Sequence, residues 1–338
     1  MKRISIKDIA ERAGVAPSTV SCVINGKAKE RRISDRVAKH IIALAKEVDY
    51  QPNPMAVSLR TGKSRIIGLI VEDISNAFFA TLAKTIEDKA YSLGYRIVYC
   101  STENDDDKGN GQIKMLLHQH VDGFLIAPTK GMHKNIAELL KNHKPVVLVD
   151  RFFPDVKVPH VLVDNYGGVK TGVEHLIQKK YSRIAFVTVD LDQIQMHQRE
   201  QAYRDTIKSH KLKYAQKLLL KLPFHQPKQD SVKQIAAFIR KNTEIDAVFF
   251  ATNYLGIYGL ESISLLNLSI PGDIAVVCFD DHDIFRIFNP GITIIAQPIE
   301  EIAKTSIEML INRIEGTSVQ VNNGEIIKKT MLVVRKST

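Results

Sequence analysis

Short apolar runs in the second part of this 338-residue chain are each followed at once by polar or charged residues. Carboxylate, amide and guanidinium groups hydrogen-bond hydroxyl groups, and Phe78 and Phe79 supply apolar walls nearby. Any one of these residues alone is more often a helix cap or a loop residue, but together they predict a site for a hydroxyl-rich small molecule. The polar residues concerned are Glu72, Asp73, Asn76, Asp150, Arg151, residues 188–192, Asn253, Asp280 and Asp281.

Motifs for catalysis or metal binding are absent from the sequence. There is no phosphate-binding G-x-x-x-x-G-K-S/T, no G-x-G-x-x-G after the first strand and no G-x-S-x-G. The eleven histidines lack metal-site spacing, and the three cysteines are far apart and odd in number. The acidic run at 103–107 is interpreted as a solvated loop. We therefore predict a protein that is not an enzyme and that uses neither metal nor cofactor.

Alternating strand-like and helix-like stretches begin at residue 65 and must position the polar residues. Apolar runs between helices are typical of parallel sheets covered on both faces, and ligands bind beyond the carboxyl ends of their strands. Two consecutive sets predict two lobes, with residues 293–297, 300–314 and 325–334 assignable to either. Strands are predicted at 66–71, 96–100, 123–127, 146–149, 184–188, 247–251, 274–279 and 293–297, and helices at 78–93, 112–119, 135–142, 167–180, 199–209, 231–240, 255–266 and 300–314.

Residues 1–64 have a different character. They carry 13 Lys or Arg against 6 Asp or Glu, which is 7 of the chain's net charge of +10. Such a concentrated positive charge is typical of a nucleic-acid-binding domain. The apolar residues predict a helix, a turn at Gly14 and a second helix beginning at Pro17, with Ser18, Thr19 and Ser21 on its outer face, where they can enter a major groove. The apolar positions are Ile6, Ile9, Ala10, Ala13, Val20, Val23 and Ile24.

A third helix, at 35–48, completes this unit, and a short helix at 53–62 follows it. Asn53 can cap the short helix and Gly62 can end it, but two turns are too few for stability in isolation. Leu59 beside Arg60 suggests an apolar wedge for a minor groove, held there by a charge. The alternative is an ordinary interdomain linker.

Over essentially its full length the chain resembles the LacI/GalR family of bacterial transcription regulators. The head motif is highly specific to that family, and several core motifs are typical of it. These motifs are Ile6-Lys7-Asp8-Ile9-Ala10, Ala13-Gly14-Val15, Thr19-Val20-Ser21, Val23-Ile24-Asn25, Tyr50-Gln51-Pro52-Asn53 with Ala56 and Leu59, Ile67-Gly68-Leu69-Ile70-Val71, Asp73-Ile74-Ser75-Asn76, Phe78-Phe79, Val121-Asp122-Gly123, Val173-Glu174-His175-Leu176, Val277 and Phe279-Asp280-Asp281.

The resemblance implies an all-α helix-turn-helix head plus an α/β periplasmic-binding-protein-like core of two doubly wound parallel-sheet lobes. The expected divisions are 1–52 for the DNA-binding domain, 53–64 for the hinge helix, 65–163 plus about 296–324 for the N-terminal lobe, and 164–292 plus about 325–338 for the C-terminal lobe. Family members bind a near-palindromic operator as dimers and hold an effector between the lobes.

The resemblance also assigns residues to the two sites. Pro17, Ser18 and Cys22 fall where relatives read bases, Thr19, Ser21 and Asn25 where they hold the DNA backbone, and Leu59 where the wedge enters. The full DNA-contacting set is Ile6, Pro17, Ser18, Thr19, Ser21, Cys22, Asn25, Tyr50, Asn53, Met55, Leu59 and Arg60, and the effector-contacting set is Asp73, Asn76, Phe78, Phe79, Asp150, Arg199, Phe224, Asn253, Asp280 and Gln297. Cys22 stands where arginine is common, which removes a guanine-reading donor.

We therefore predict a cytoplasmic, homodimeric, non-membrane repressor of double-stranded operator DNA. Its effector is expected to be a sugar or sugar derivative, with a nucleobase as the alternative. A solute receptor without a DNA role would have a signal peptide and no basic head, and the sequence fits neither expectation. A small-molecule enzyme of doubly wound fold would carry a nucleotide loop or a catalytic constellation.

Overall fold

The computed structural model describes residues 4–52, 57–58, 61–212, 216–317 and 324–338, which form two compact units, 1–64 and 65–338. Residues 4–52 of the first unit contain three helices, α1 (Ile6–Ala13), α2 (Pro17–Ile24) and α3 (Asp35–Glu47). Their facing sides bury Ile9, Val20 and Ile41 completely. This small apolar centre fixes the angle between α1 and α2.

Local sequence determines where α1 begins and ends. At the beginning, the Asp8 backbone N–H donates to the Ser5 hydroxyl, while the Asp8 carboxylate accepts from the Ser5 backbone N–H at 2.7 Å. This reciprocal pairing satisfies donors that a helix start leaves unpaired. At the end, Gly14 adopts a φ of 64°, a left-handed conformation that side chains with a Cβ rarely adopt. The turn therefore depends on Gly14.

The second unit consists of two six-stranded sheets with helices on both faces of each. The first sheet contains β1 (Ile66–Val71), β2 (Arg96–Ser101), β3 (Gly123–Ile126), β4 (Val146–Val149), β5 (His160–Val163) and β11 (Glu325–Lys328) in the order β11-β5-β4-β3-β1-β2, all parallel. The second contains β6 (Ile184–Asp190), β7 (Leu219–Pro223), β8 (Ala247–Phe250), β9 (Ala275–Phe279), β10 (Thr293–Ala296) and β12 (Met331–Val333) in the order β12-β10-β9-β8-β6-β7, with β12 antiparallel.

Helices connect the strands and cover both sheets. Their bounds are α4 (Ala77–Ser92), α5 (Asp106–His118), α6 (His133–Lys141), α7 (Asn165–Gln178), α8 (Ile194–Ser209), α9 (Lys228–Lys241), α10 (Asn253–Leu265), α11 (Asp283–Ile287) and α12 (Ile299–Glu315), with 3-10 turns at Lys130–Met132 and Gln216–Leu218. Among the described residues, none of these helices is long and apolar enough to span a membrane.

Both faces of each sheet are apolar because successive strand residues point in opposite directions. In β1, Ile67 and Leu69 belong to the core beneath α4 and α12, whereas Ile70 belongs to the core beneath α5 and α6. In β6, Val187 and Phe186 divide in the same way between the two faces of the second sheet. The continuous apolar runs of the sequence thus correspond to strands buried on both sides.

The structure corrects several expectations. β5, β7 and α11 were not predicted. The acidic run at 103–107 is not simply a loop, because Asp105 caps α5 by accepting from the Lys108 backbone N–H at 2.7 Å and the next residues form its first turn. Residues 325–338 do not all join the C-terminal lobe, since β11 pairs with β5 of the first sheet and only β12 joins the second. A pairing between segments so distant in sequence leaves no local signal.

Candidate functional site

A cleft between the two lobes of the second unit gathers most of the predicted effector residues. Both sheets have the strand order 2-1-3-4-5 for their first five strands, and such sheets bind ligands at the carboxyl ends of strands, where the order reverses. Eight of the ten predicted residues line this one cleft: Asn76, Phe78, Phe79, Asp150, Arg199, Asn253, Asp280 and Gln297. Residues of the cleft wall outside the predicted set are Glu72, Arg151, Val189, Leu191, Gln193, Gln195, Met196, Thr252 and Tyr254.

Two aspartates occupy equivalent positions in the two lobes. Asp150 directly follows β4 and Asp280 directly follows β9, each the fourth strand of its sheet in chain order. Their backbone N–H groups donate to Val161 and Ile295 in the fifth strands at 3.2 and 2.9 Å. Both have positive φ, 66° and 73°, in the left-handed region that is costly for residues with a side chain. Strained backbone at matched cleft positions is typical of functional residues.

Arg151 is held by three partners on the first lobe. Its guanidinium donates to Glu72 in a very short contact, to Asp150 through Nε at 3.1 Å and to the Asn104 side-chain oxygen at 2.7 Å. Burial alone would lower the pKa of Arg151, but Glu72 and Asp150 raise it above its ordinary value. Each of its three nitrogens therefore donates to a protein side chain.

Arg199 projects into the cleft from α8. Its Nε donates to the Asn165 side-chain oxygen at 2.8 Å, and its Nη1 donates to the Ala251 carbonyl at 2.7 Å. The guanidinium carbon lies 3.6 Å from the centre of the Phe279 ring, a cation–π arrangement. Burial lowers the pKa of Arg199, while Asp280 and Asp150 oppose that shift. These contacts fix the guanidinium plane beside both cleft aspartates.

The two cleft aspartates are buried enough for their ionisation to be disfavoured. Burial raises the pKa of both Asp150 and Asp280, although Arg151 and Arg199 favour the charged form of Asp150, and Arg199 and Gln297 that of Asp280. Gln297 donates to Asp280 at 2.6 Å, which orients the carboxyl group. Both carboxyl groups are thus held in position by neighbouring side chains, at places where burial disfavours a negative charge.

In the part of the chain that the structure describes, three pairs of side chains connect the lobes across the cleft. The Asn253 amide donates to the Asn76 oxygen at 3.2 Å, and the Gln193 amide donates to the Asn104 oxygen at 2.7 Å. Lys130 and Asp192 form an exposed ion pair, a type of contact that contributes little in water. The first two pairs lie in or beside the cleft wall. A ligand bound in the cleft and a change in the distance between the lobes would therefore affect the same side chains.

The remaining two predicted effector residues do not line the cleft. Asp73 accepts from the Ser75 backbone N–H and hydroxyl, each at 2.8 Å, and so stabilises the turn before α4. Phe224 lies partly buried against the second lobe, edge-on to His225 at 4.9 Å.

Several cleft residues were missed by reasoning from the sequence. Thr252 has a signal, because it follows an apolar strand and caps α10 by accepting from the Leu255 backbone N–H. Gln193, Gln195 and Met196 lie where β6 leads into α8, and their side chains become informative only when the lobes face each other. Asn104 contacts Arg151 and Gln193 without lining the cleft itself.

In the first unit, the predicted DNA-contacting residues of α2 are accessible to different extents. Pro17, Ser18 and Asn25 are exposed, while Thr19, Ser21 and Cys22 are partly exposed. Ile6 and Tyr50 belong to the predicted DNA set too, but both are half-buried against the helical core. Asn53, Met55, Leu59 and Arg60 lie outside the described residues.

Among the residues that the structure describes, no group of three or more His, Cys, Asp or Glu could hold a metal ion. The free thiols of Cys100 and Cys278 are buried in apolar cores.

Comparison with known proteins identifies both units. Residues 5–53 match the model for bacterial regulatory proteins of the lacI family, and residues 173–338 match a periplasmic binding protein-like domain. The chain is 31% identical to the HTH-type transcriptional regulator KdgR of Bacillus subtilis (98% of this chain, 97% of that protein) and 28% identical to the ribose operon repressor of Halalkalibacterium halodurans (99% and 97%).

The fold is also that of a solved regulator. The structure superimposes on that of the lac repressor dimer bound to operator and the anti-inducer ONPF with a TM-score of 0.86, covering 99% of both chains at 21% identity. A helix-turn-helix unit followed by a two-lobed periplasmic-binding-protein-like core defines a class of transcription regulators. The chain belongs to the lacI family of bacterial regulatory proteins. The predicted family and fold class are thereby confirmed.

Proposed function

We propose that this chain is a repressor that binds a near-palindromic operator as a homodimer and releases or engages it in response to a sugar or sugar derivative in the cleft. The observation that carries the proposal is the convergence of polar side chains from both lobes on one cleft, in a chain that also contains a DNA-binding unit. The ribose operon repressor among its relatives carries a sugar in its name, and the superimposed lac repressor is a dimer on operator DNA. Its role is regulatory rather than enzymatic, and it acts in the cytoplasm, where bacterial operators are found.

The proposed division of labour follows the predicted domains. Residues 1–52 recognise DNA, 53–64 form a hinge helix, and residues from 65 onward form two lobes around the effector. Pro17, Ser18 and Cys22 face bases and Leu59 enters the minor groove. The outer face of α2 is poor in long hydrogen-bonding side chains, so deformability of the operator contributes to its selection.

Effector control is proposed to operate through the separation of the lobes. A ligand that contacts Asn76 and Asn253 together changes their cross-lobe hydrogen bond, which measures 3.2 Å in this structure. A coupling of about 1–3 kcal/mol between cleft and operator is enough for about 5- to 150-fold changes in operator affinity.

The DNA-binding proposal is tested with the full-length chain and fragments of its own genome, measuring affinity by fluorescence anisotropy between low and physiological salt. A dimer that neutralises about 6–10 phosphates should lose about 10³–10⁵ in affinity between about 50 and 200 mM salt, with one fragment class resisting excess competitor. Binding without salt dependence, or equal affinity for all fragments, would overturn the proposal.

A matched pair of variants locates the DNA-contacting surface. Ser18→Asp places a carboxylate on the exposed side of α2, at a helix start where negative charge does not harm folding. We expect it to abolish operator binding by repelling phosphates. Ser264→Asp makes the same change on the exposed side of α10, in the second unit, and should leave operator affinity unchanged. Equal losses in the two variants would show a general charge effect instead.

A further inference from the structure

The balance of donors and acceptors in the cleft bears on which class of effector it takes. Its lining includes three carboxyl groups, from Glu72, Asp150 and Asp280, and two guanidinium groups, from Arg151 and Arg199. Arginine is the side chain that usually recognises a carboxylate or phosphate on a ligand, through paired N–H donors. The question is whether either arginine remains available for that task.

Glu72 pairs with Arg151 through a hydrogen-bonded ion pair. The Glu72 carboxylate contacts one terminal nitrogen of Arg151, Asn104 accepts from the other at 2.7 Å, and Asp150 accepts from Nε at 3.1 Å. The Arg151 and Glu72 side chains are only 5% and 10% exposed, so an exchange of partners would leave a buried charge unpaired. An anionic ligand would therefore compete with Glu72 for a partner already in place.

Arg199 is held by fewer hydrogen bonds than Arg151, through Nε and one of its two terminal nitrogens. Asn165 and the Ala251 carbonyl accept from two of its nitrogens, and Asp150 and Asp280 both act on its charge. The two arginines thus face three carboxyl groups, and burial already disfavours ionisation of two of these. A ligand anion would add another negative charge to a buried site in which burial already disfavours negative charge.

A buried acceptor in the cleft wall lacks a donor. Gln195 is 2% exposed, and its amide nitrogen donates to Gln193 at 2.9 Å, while its Oε1 has no hydrogen-bond partner among the described residues. A buried acceptor without a donor is costly, and a ligand hydroxyl can supply one. A carboxylate or phosphate group at this place would bring a further acceptor and no donor.

We infer that the cleft takes an uncharged polyhydroxyl compound and excludes ligands bearing a carboxylate or phosphate, and that Glu72 sets this selectivity by occupying Arg151. The inference rests on the proposed function for the existence of an effector and adds the charge class of that effector. Hydroxyl groups can donate to Gln195 and the cleft carboxyls, whereas a carboxylate or phosphate group at the same place can only accept. Glu72 is thus a specificity residue at a position directly after β1.

The test compares matched ligands on the full-length protein at constant ionic strength, by titration calorimetry and thermal shift. The pairs are ribose with ribose 5-phosphate, glucose with gluconate and with glucose 6-phosphate, and galactose with galacturonate. We expect saturable binding by at least one neutral sugar and about tenfold or more weaker binding by its anionic counterpart. An anionic counterpart that binds more tightly, or a panel with no neutral ligand, overturns the inference, while operator binding measured separately decides the proposed function.

The Glu72→Gln variant tests the role of Glu72. Glutamine keeps the size of the side chain and removes the charge that neutralises Arg151, so the neutral-to-anionic affinity ratio should fall by about tenfold. Glu308→Gln is the matched control. It removes an exposed carboxylate of α12 that lies 3.5 Å from Lys89 of α4, and it should keep the wild-type ratio of neutral to anionic ligand affinity. A folded Glu72→Gln protein with the wild-type ratio would overturn the assignment to Glu72. If this variant does not fold, the wild-type ligand pairs still decide the charge class.

Discussion

At the scale of single residues, the cleft concentrates features that are costly to maintain. Asp150 and Asp280 combine left-handed backbone with buried side chains, and the Oε1 of Gln195 has no hydrogen-bond donor among the described residues. Strained and buried polar groups persist where the surrounding structure holds them and where function requires them. Residues of the cleft therefore lower the stability of the fold while they serve ligand binding. Single substitutions in the cleft can change folding stability and ligand affinity in opposite directions.

Asp280→Asn should raise stability while weakening ligand binding. Because the pKa of Asp280 lies above its ordinary value of 3.8, its ionisation destabilises the folded state. That penalty is absent below the unfolded pKa and grows as pH rises through the folded pKa, so the variant's advantage in melting temperature should be present at pH 7 and vanish near pH 3. Loss of a charged hydrogen-bond acceptor, worth about 1.5–3 kcal/mol, should weaken binding of a stabilising sugar about ten- to hundredfold.

The control for this experiment is the next residue along the chain. Asp281 pairs with Arg335 at 2.7 and 3.0 Å and does not line the cleft. Asp281→Asn should therefore leave sugar affinity unchanged and bring no gain in melting temperature at pH 7. A loss of stability in Asp280→Asn at pH 7 would show that the Arg199 contact outweighs the cost of burial.

At the scale of elements, glycines permit helices to lie close to the sheets. On α10, a Cβ at Gly259 would lie 2.0 Å from the Phe250 ring of β8, which is completely buried. On α7, a Cβ at Gly172 would lie 2.5 Å from the Phe249 ring on the opposite face of the same strand. Large aromatic rings in the sheet and small residues on the helices fit together, and this complementarity sets the position of Asn253 at the start of α10.

Gly259→Ala should destabilise the second unit by about 1–3 kcal/mol, because a methyl group cannot be accommodated beside a buried ring without shifting α10. Gly111→Ala is the matched control, since Gly111 lies on the exposed side of α5 with nothing within 4 Å of its Cβ position. There, the better helix propensity of alanine should add up to about 1 kcal/mol. Urea unfolding monitored by circular dichroism measures both, and equal midpoints would contradict the packing argument.

The elements also show what the sequence can and cannot predict. β1 spans the predicted residues 66–71 because an unbroken apolar run between charged and polar residues has one stable solution, a strand buried on both faces. The sequence does not predict β7, because Lys221 interrupts its apolar residues. β7 is also the edge strand of its sheet, so most of its residues are only partly buried or exposed. β11 and the cleft glutamines depend on contacts between distant segments, which local patterns do not contain.

At the scale of the whole molecule, two lobes with the same strand order present corresponding strand ends to one cleft. This arrangement explains why polar residues so widely separated in sequence, such as Asp150 and Asp280, were predicted together. Within residues 65–338, the cleft and the cross-lobe pairs share side chains, so ligand binding and lobe separation are linked. If cleft and operator are coupled as proposed, the effector must change operator affinity by the same factor by which operator changes effector affinity.

The last prediction concerns Leu59 of the proposed hinge, a residue that lies outside the described ones. Leu59→Ala should weaken binding to the specific operator about tenfold or more, because a shorter side chain cannot unstack a base step in the minor groove. Its affinity for non-specific DNA should change little, since that affinity comes from phosphate contacts. Effector affinity of the free protein should also be unchanged. Leu265→Ala, the same change at a leucine that is 64% exposed on α10, is the control and should leave specific and non-specific DNA binding as in the wild type. Specific binding by a folded Leu59→Ala dimer at wild-type affinity would exclude Leu59 as a wedge and leave 53–64 as a linker.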